Sequence, residues 1–448
     1  MNGNNNIYVG YGRESISPRY PDGTIIPVRT SGYPQRRICR KIVSEIYSSC
    51  TAFKAADGNT VLLFSVEIGG FYNEYVKPAA EQVSKATGVA PENIVFSVTH
   101  THTAPGLAYD EEEAVYWKGN IFFPALVKSA EQAIADLALC TDIYVGCADG
   151  TGYNFVRRYD EDENGNLTHE AEADHSLPLA RFVREGKRDV IVANWAAHCD
   201  TMAVTNKEDF YSVGSDYVGA FRDTIEGALD AYVSIYMGGN GDVNPFSSIP
   251  GEFKFPGTDP YGKAIADIVL KALPTLRRID AKGPVKMLSA TPRLEIEHTR
   301  DHLAPIAEEI CRIYNEDNKS PKVDELCKQI GIGALGGIHG IMEAGHIVHH
   351  AKLPKDEEYP LSAFRVGDIA FGVAPCEMFT KTAMDIKAAS PFEQTIVLAY
   401  SNGAYSYLPA DYCFDKHDYE TSSCRYTRGA AEKVQREINK LIDELYKG

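Results

Sequence analysis

Two histidines separated by one residue end an apolar run in Val98-Thr-His100-Thr-His102-Thr-Ala-Pro-Gly106. Side chains two apart on an extended chain share a face, so both imidazoles can converge on one point at the lip of a sheet. Such a pair can hold a divalent cation, or it can be two hydrogen-bonded histidines in a turn. A second apolar run, Val190-Ile-Val-Ala-Asn-Trp-Ala-Ala197, ends in His198, with Cys199 and Asp200 as alternative ligands if the chain turns there. A third run, Asp368-Ile-Ala-Phe-Gly-Val-Ala-Pro-Cys, delivers Glu377 just before a helical pattern. That carboxylate can be a third ligand, or it can simply favour the helix dipole. A fourth ends in Asn402-Gly-Ala-Tyr405-Ser-Tyr407, which on spacing alone reads as aromatic packing. An HxH pair also opens the amidohydrolase barrels, with Asp242 as a late ligand, and Gly345-His346-Ile-Val-His349-His350 is a separate candidate cluster.

The elements that must position these residues are strands. Residues 60–67 (TVLLFSVE) and 94–99 (IVFSVT) read as buried strands, separated by a helix at 76–87 that Gly88 closes. Further strands are predicted at 190–196, 233–237, 364–366, 369–373 and 395–399, with a tight hairpin at Val366-Gly-Asp. Helices are predicted near 123–137, 217–229, 261–273, 303–314 and 430–446, and loops at 159–166, 247–260 and 331–360. The pattern implies a mixed α/β (α+β) fold with mixed β-sheets, two packed sheets flanked by helices, in one catalytic domain spanning 1–448. The spacing does not fall into eight βα units, which argues against a barrel.

Composition narrows the class. The chain has 448 residues, 44% hydrophobic and 24% charged, enough to bury a large core. Its 45 Lys and Arg against 62 Asp and Glu give a net charge of −17, which excludes a broad nucleic-acid footprint. The N-terminus has no signal-like pattern and no apolar run reaches bilayer length, so a cytoplasmic protein without an integral membrane segment is expected. The ten cysteines lack paired spacing and are expected to be reduced thiols. The acidic runs at 160–163 and 356–358 lack calcium-loop spacing and read as solvated. The oligomeric state has no signature in the sequence.

Taken together the motifs resemble the neutral/alkaline ceramidases, zinc-dependent amidases that cleave the N-acyl bond of ceramide. The resemblance runs through Tyr8-Val-Gly10-Tyr-Gly, Ile16-Ser-Pro18, Gly32-Tyr33, Thr99-His-Thr-His-Thr-Ala-Pro-Gly, Asn154…Arg157, Asn194-Trp-Ala-Ala-His198, Gly241-Asp-Val-Asn-Pro245, Pro375-Cys-Glu377 and Asn402-Gly-Ala-Tyr-Ser-Tyr407…Tyr419-Glu420. It implies that His100, His198, Glu377 and Tyr407 hold Zn2+. It implies that His102 transfers a proton or stabilises the oxyanion, and that Arg157 and Tyr419 face the substrate. Two departures stand out. Asn244 replaces the serine of the ceramidases' Gly-Asp-Val-Ser-Pro, and neither their immunoglobulin-like C-terminal domain nor their export signal is expected here.

Zinc chemistry does not need that serine, because the ion can make water the nucleophile, with Asn244 adding a neutral hydrogen bond. The expected function is therefore hydrolysis of an amide bond in a small or moderately sized N-acylated metabolite. The alternatives are a ceramide or other N-acyl lipid amidase, an amidohydrolase-type or ester/lactone hydrolase, and a non-catalytic small-molecule binder.

Overall fold

The computed structural model describes residues 5–33, 36–202, 209–253, 255–333 and 339–448. The central sheet is built from β1 (Ile7–Ser15), β2 (Tyr47–Ala55), β3 (Thr60–Val66), β4 (Ile94–Val98), β5 (Ala138–Asp149), β6 (Ser176–Arg184), β7 (Asp189–Trp195) and β8 (Ala231–Met237). Their order is β8-β7-β6-β5-β1-β2-β3-β4, and Arg277–Ile279 adds a ninth strand on β5. A second sheet has the order β9-β10-β11-β12, from Val285–Ala290, Leu361–Val366, Ile369–Val373 and Gln394–Leu398. The two sheets pack face to face. Phe53 of β2 lies 5.2 Å from Phe182 of β6 and 6.2 Å from Phe371 of β11, ring to ring, in a core that Val9 and Phe364 share. The expected mixed α/β architecture of two packed sheets is what the structure shows, and neither sheet is an eight-stranded parallel barrel.

Helices cover the outer faces. Those used below are α1 (Asn73–Thr87), α2 (Phe123–Ala135), α3 (Tyr217–Ala228), α4 (Thr258–Ala272), α5 (Ala304–Glu316), α6 (Pro321–Gln329), α7 (His339–His350), α8 (Thr380–Ala389) and α9 (Ala430–Lys447). Helix α1 ends as its sequence predicts, on Gly88 in the left-handed region, whose N–H bonds the Ser84 carbonyl. Helix α2 lies across β1 and β2, and α9 across the second sheet. Helices α5, α6 and α7 pack on one another around Ile310, Ala344 and Ile347. Among the described residues no helix is long and apolar enough to cross a membrane.

The stretch 331–360 is not a loop, as its glycines and histidines had implied. Residues 334–338 lie outside the described residues, but α7 and a short strand at Asp356–Glu358 occupy much of the rest. The period of α7 is set by Gly340, Glu343, Ala344 and Ile347, which it buries, so the polar histidines hid an amphipathic helix.

Within the two large sheets three strand pairs are parallel: β3 with β4, β7 with β8, and β11 with β12. Parallel strands buried on both faces read as near-continuous apolar runs, which is why these six were legible in the sequence. Chain segments leaving their C-terminal ends carry His100, His198, Asn240, Glu377 and Tyr400. Ligand sites of open α/β sheets form outside such ends.

Candidate metal and catalytic site

The chain leaves β4 at Val98, and His100 sits in the left-handed region at φ 57°. The two histidines of the HxH motif are therefore brought together by a turn, not by the extended alternation expected from spacing. Their Nε2 atoms are 3.3 Å apart. His198 joins them, its ring centroid 4.8 Å from that of His100 and 5.3 Å from that of His102. Ring nitrogens of all three lie within 4.8 Å of one another, and they are the one such cluster among the described residues. Glu377 Oε2 lies 3.4 Å from His100 Nε2 and 3.8 Å from His198 Nε2.

Hydrogen bonds fix the tautomers. His100 Nδ1–H donates to the Gly69 carbonyl at 2.6 Å and His198 Nδ1–H to the Asn240 carbonyl at 3.0 Å, leaving a lone pair on each Nε2. His198 Nε2 is buried without a hydrogen-bond partner. Burial, then the neighbouring His100, holds both His102 and His198 well below the usual histidine range, so both rings are neutral. Neutral imidazoles with inward lone pairs beside a carboxylate are a donor set that suits a divalent cation such as zinc. An orphaned buried nitrogen costs free energy that a cation would recover.

The loops that carry these groups are interlocked. His198 N–H donates to the Val243 carbonyl, Gly241 N–H to Met378 and His102 N–H to Cys199, at 2.8 to 3.0 Å. Glu377–Met378 pairs in parallel with Tyr407–Leu408, which sets Glu377 directly beside Tyr407. Val243–Asn244 pairs antiparallel with Phe155–Val156 and fixes Arg157 next to them. Gly32, at φ 98°, lies against the His102 ring, where any Cβ would overlap it.

Arg157 is the electrostatic hinge of the site. Its Nε donates to Glu420 Oε1 at 2.6 Å, and its Nη2 donates to the Gly241 carbonyl at 2.8 Å and to the Tyr407 hydroxyl at 3.3 Å. Burial alone would lower its pKa, but Glu420 and Tyr407 outweigh that and hold the guanidinium charged. Burial, then Glu377, pushes the Tyr407 phenol well above its ordinary value. Tyr419 opens a short helix capped by Asp418 and sets its ring 5.5 Å from that of Tyr407; burial raises its pKa too. Asn244 is 8% exposed and its Oδ1 has no partner among the described residues.

The remaining candidates go elsewhere. Cys199 is buried, with its thiol pushed up by burial, and Asp200 is pushed up to about 6, by burial first and then by Asp216; neither joins the histidine cluster. Asp242 Oδ1 accepts from Thr380 N–H at 2.8 Å, tying β8's loop to α8. His346, His349 and His350 do not form a second metal cluster among the described residues: the His346 and His350 rings stack 5.9 Å apart on one face of α7. Two residues escaped notice in the sequence. Tyr400, at φ 51°, stacks 4.1 Å from the His100 ring with its hydroxyl 3.5 Å from Glu377 Oε2. Glu420 neutralises Arg157; its signal was its place beside Tyr419 in the quoted motif.

A cleft of about 450 Å3 opens on the Arg157, Asn244 and Tyr419 side of the site. No family model matches the chain, and no curated protein matches it in sequence. Solved structures do. The crystal structure of neutral ceramidase from Pseudomonas aeruginosa superposes with a TM-score of 0.71 at 16% identity, covering 99% of this chain and 75% of that one. A ceramidase complexed with C2 gives 0.70 at 14% identity with the same coverage. The fold is ceramidase-like. Within that ceramidase-like fold the histidine cluster and Glu377 stand at the ends of the buried parallel strands described above.

Proposed function

We propose that the protein is a zinc-dependent hydrolase that cleaves the N-acyl amide bond of a small or moderately sized metabolite. The observation that carries this reading is the convergence of three imidazoles and Glu377 on one point at the C-terminal ends of parallel strands, in a ceramidase-like fold. In this reading His100, His198, Glu377 and Tyr407 hold the cation. Zinc bound there supplies Lewis acidity toward water and toward the amide carbonyl.

The other groups divide the proton work. His102, neutral because it is buried, accepts the proton that the attacking water must lose. Tyr419 keeps its proton through neutral pH and donates to the developing oxyanion or to the departing nitrogen. Arg157, held charged by Glu420, orients Tyr407 from 3.3 Å and would favour its phenolate against the burial and Glu377 that otherwise keep the phenol protonated. Asn244 contributes a neutral hydrogen bond where ceramidases carry serine. The sum is water added across C–N, releasing a carboxylate and an amine.

The names of the structural neighbours favour a second reading, ceramide or another N-acyl lipid. Amine release from N-acyl amino acids, short N-acyl amines and ceramides, measured side by side with zinc-loaded and chelator-stripped protein, tests both. Zinc-dependent turnover of the small amides is expected. Turnover of ceramides alone would overturn the small-substrate reading, and no turnover of any amide would overturn the enzyme assignment.

A further inference from the structure

The cleft beside the site restricts what can sit in it. Every side chain lining it carries a polar group, and no aliphatic residue or phenylalanine contributes. An acyl or alkyl chain gains about 0.8 kcal/mol per methylene only when it is covered by apolar surface. Here the apolar surface is limited to the rings of Tyr159 and Tyr419 and the stems of charged side chains whose heads are ion-paired, with no aliphatic side chain for an alkyl chain to pack against.

The charges in this cleft are already matched. Arg157 pairs with Glu420, Arg158 with Glu170 and Asp418, and Lys416 with Asp160 and Glu170. An anionic ligand finds no spare countercharge among them. Two buried polar atoms are left over. Asn244 is more than nine-tenths buried with an unpartnered Oδ1, and His339, at the start of α7, has a buried, unpartnered Nδ1. Tyr419 links His339 to the proposed metal set, its ring 5.6 Å from that of His339 and 5.5 Å from that of Tyr407. Hydroxyl groups, neutral and able to donate or accept, are the chemistry that satisfies such a lining.

Resting on the amide-hydrolase reading, we infer that the substrate is a small, uncharged, polyhydroxylated N-acyl compound of the amino-sugar or amino-polyol class. Its hydroxyls occupy this cleft, and Asn244 and His339 are the groups that read them. The acyl carbonyl then reaches the metal site past Tyr419 and Arg157.

The test compares kcat/KM of the zinc-loaded full chain for an N-acetylated amino sugar and for N-acetylhexylamine, which has the same acyl group. A site built to bond hydroxyls discriminates strongly against an analogue lacking them, so a ratio of roughly 100 or more is expected. His339→Leu lowers the ratio at least tenfold, mainly through KM, and His339→Gln restores most of it. Preference for the alkylamide, for ceramide or for an N-acyl amino acid overturns this inference while leaving amide hydrolysis standing. A ratio unmoved by His339→Leu overturns the role given to α7. Failure to cleave any amide overturns both the inference and the reading beneath it.

Discussion

Arg157→Met is the most informative perturbation of the site. Its guanidinium Nη2 is 3.3 Å from the Tyr407 hydroxyl and its Nε 2.6 Å from Glu420. At an effective dielectric near 20, a unit charge 3.3 Å away contributes up to about 5 kcal/mol. Solvent access to an arginine side chain that is 18% exposed reduces this without changing its sign. The sign follows from charge. The cation favours phenolate, so removing it raises the Tyr407 pKa further and moves the pH dependence of zinc affinity upward. Glu420→Gln does the opposite, because it leaves the Arg157 charge uncompensated beside the phenol. Both variants also break a buried pair, which costs about 3 kcal/mol. For 448 residues the unfolding entropy is about 0.9 kcal/mol/K, so each should lose about 3 °C in Tm. Chelator-competition titrations of zinc from pH 6 to 9, with calorimetry alongside, measure both effects. Zinc-binding curves that superimpose on wild type, or that move the same way in both variants, would refute the coupling of Arg157 to Tyr407.

Two further substitutions probe the support. Asp242 is wholly buried and pushed up to about 7 by that burial. Because the unfolded carboxyl ionises near 3.9, this group alone should withdraw on the order of 4 kcal/mol of stability as pH rises from 4 through 7, on top of what Asp200 withdraws. Asp242→Asn should remove the Asp242 share and make the pH dependence shallower, and urea unfolding at pH 4.5 and 8 checks it; equal pH dependence in variant and wild type would contradict it. Gly32→Ala places a Cβ into the His102 ring at a φ that L-residues avoid, costing on the order of 2 kcal/mol. Thermal unfolding and amide turnover should both decline, and an unchanged kcat would show that His102 tolerates displacement.

Much of this was legible in the sequence, for physical reasons particular to each element. The strands ending at Val98, Trp195, Val373 and Leu398 are buried on both faces and read as apolar runs, so the residues after them were picked out by position. Strand β2 was invisible because it buries Ser48, Ser49 and Thr51. Ser48 bonds Ser129 of α2 at 3.0 Å, and Ser49 accepts from the Tyr11 hydroxyl at 3.1 Å, so polar residues there serve the core. Helix α7 reads as a loop in sequence because its histidines, His339 at the cleft and His346 stacked on His350, mask its apolar stripe. The turn at His100 could not be foreseen either. A left-handed non-glycine residue is held by its surroundings, here the Gly69 carbonyl and the Tyr400 ring, which come from other parts of the chain. Glu420 belongs with these: its meaning depends on Arg157, 263 residues away.

One divalent cation should be held jointly by the strand-end groups. Metal content, measured by inductively coupled plasma mass spectrometry after zinc loading and exhaustive dialysis, tests it most directly. About one zinc per chain is expected in the native protein, falling below one-tenth in both His198→Ala and Glu377→Ala, with amide turnover lost in proportion. Full zinc occupancy and undiminished turnover in either variant would contradict the account.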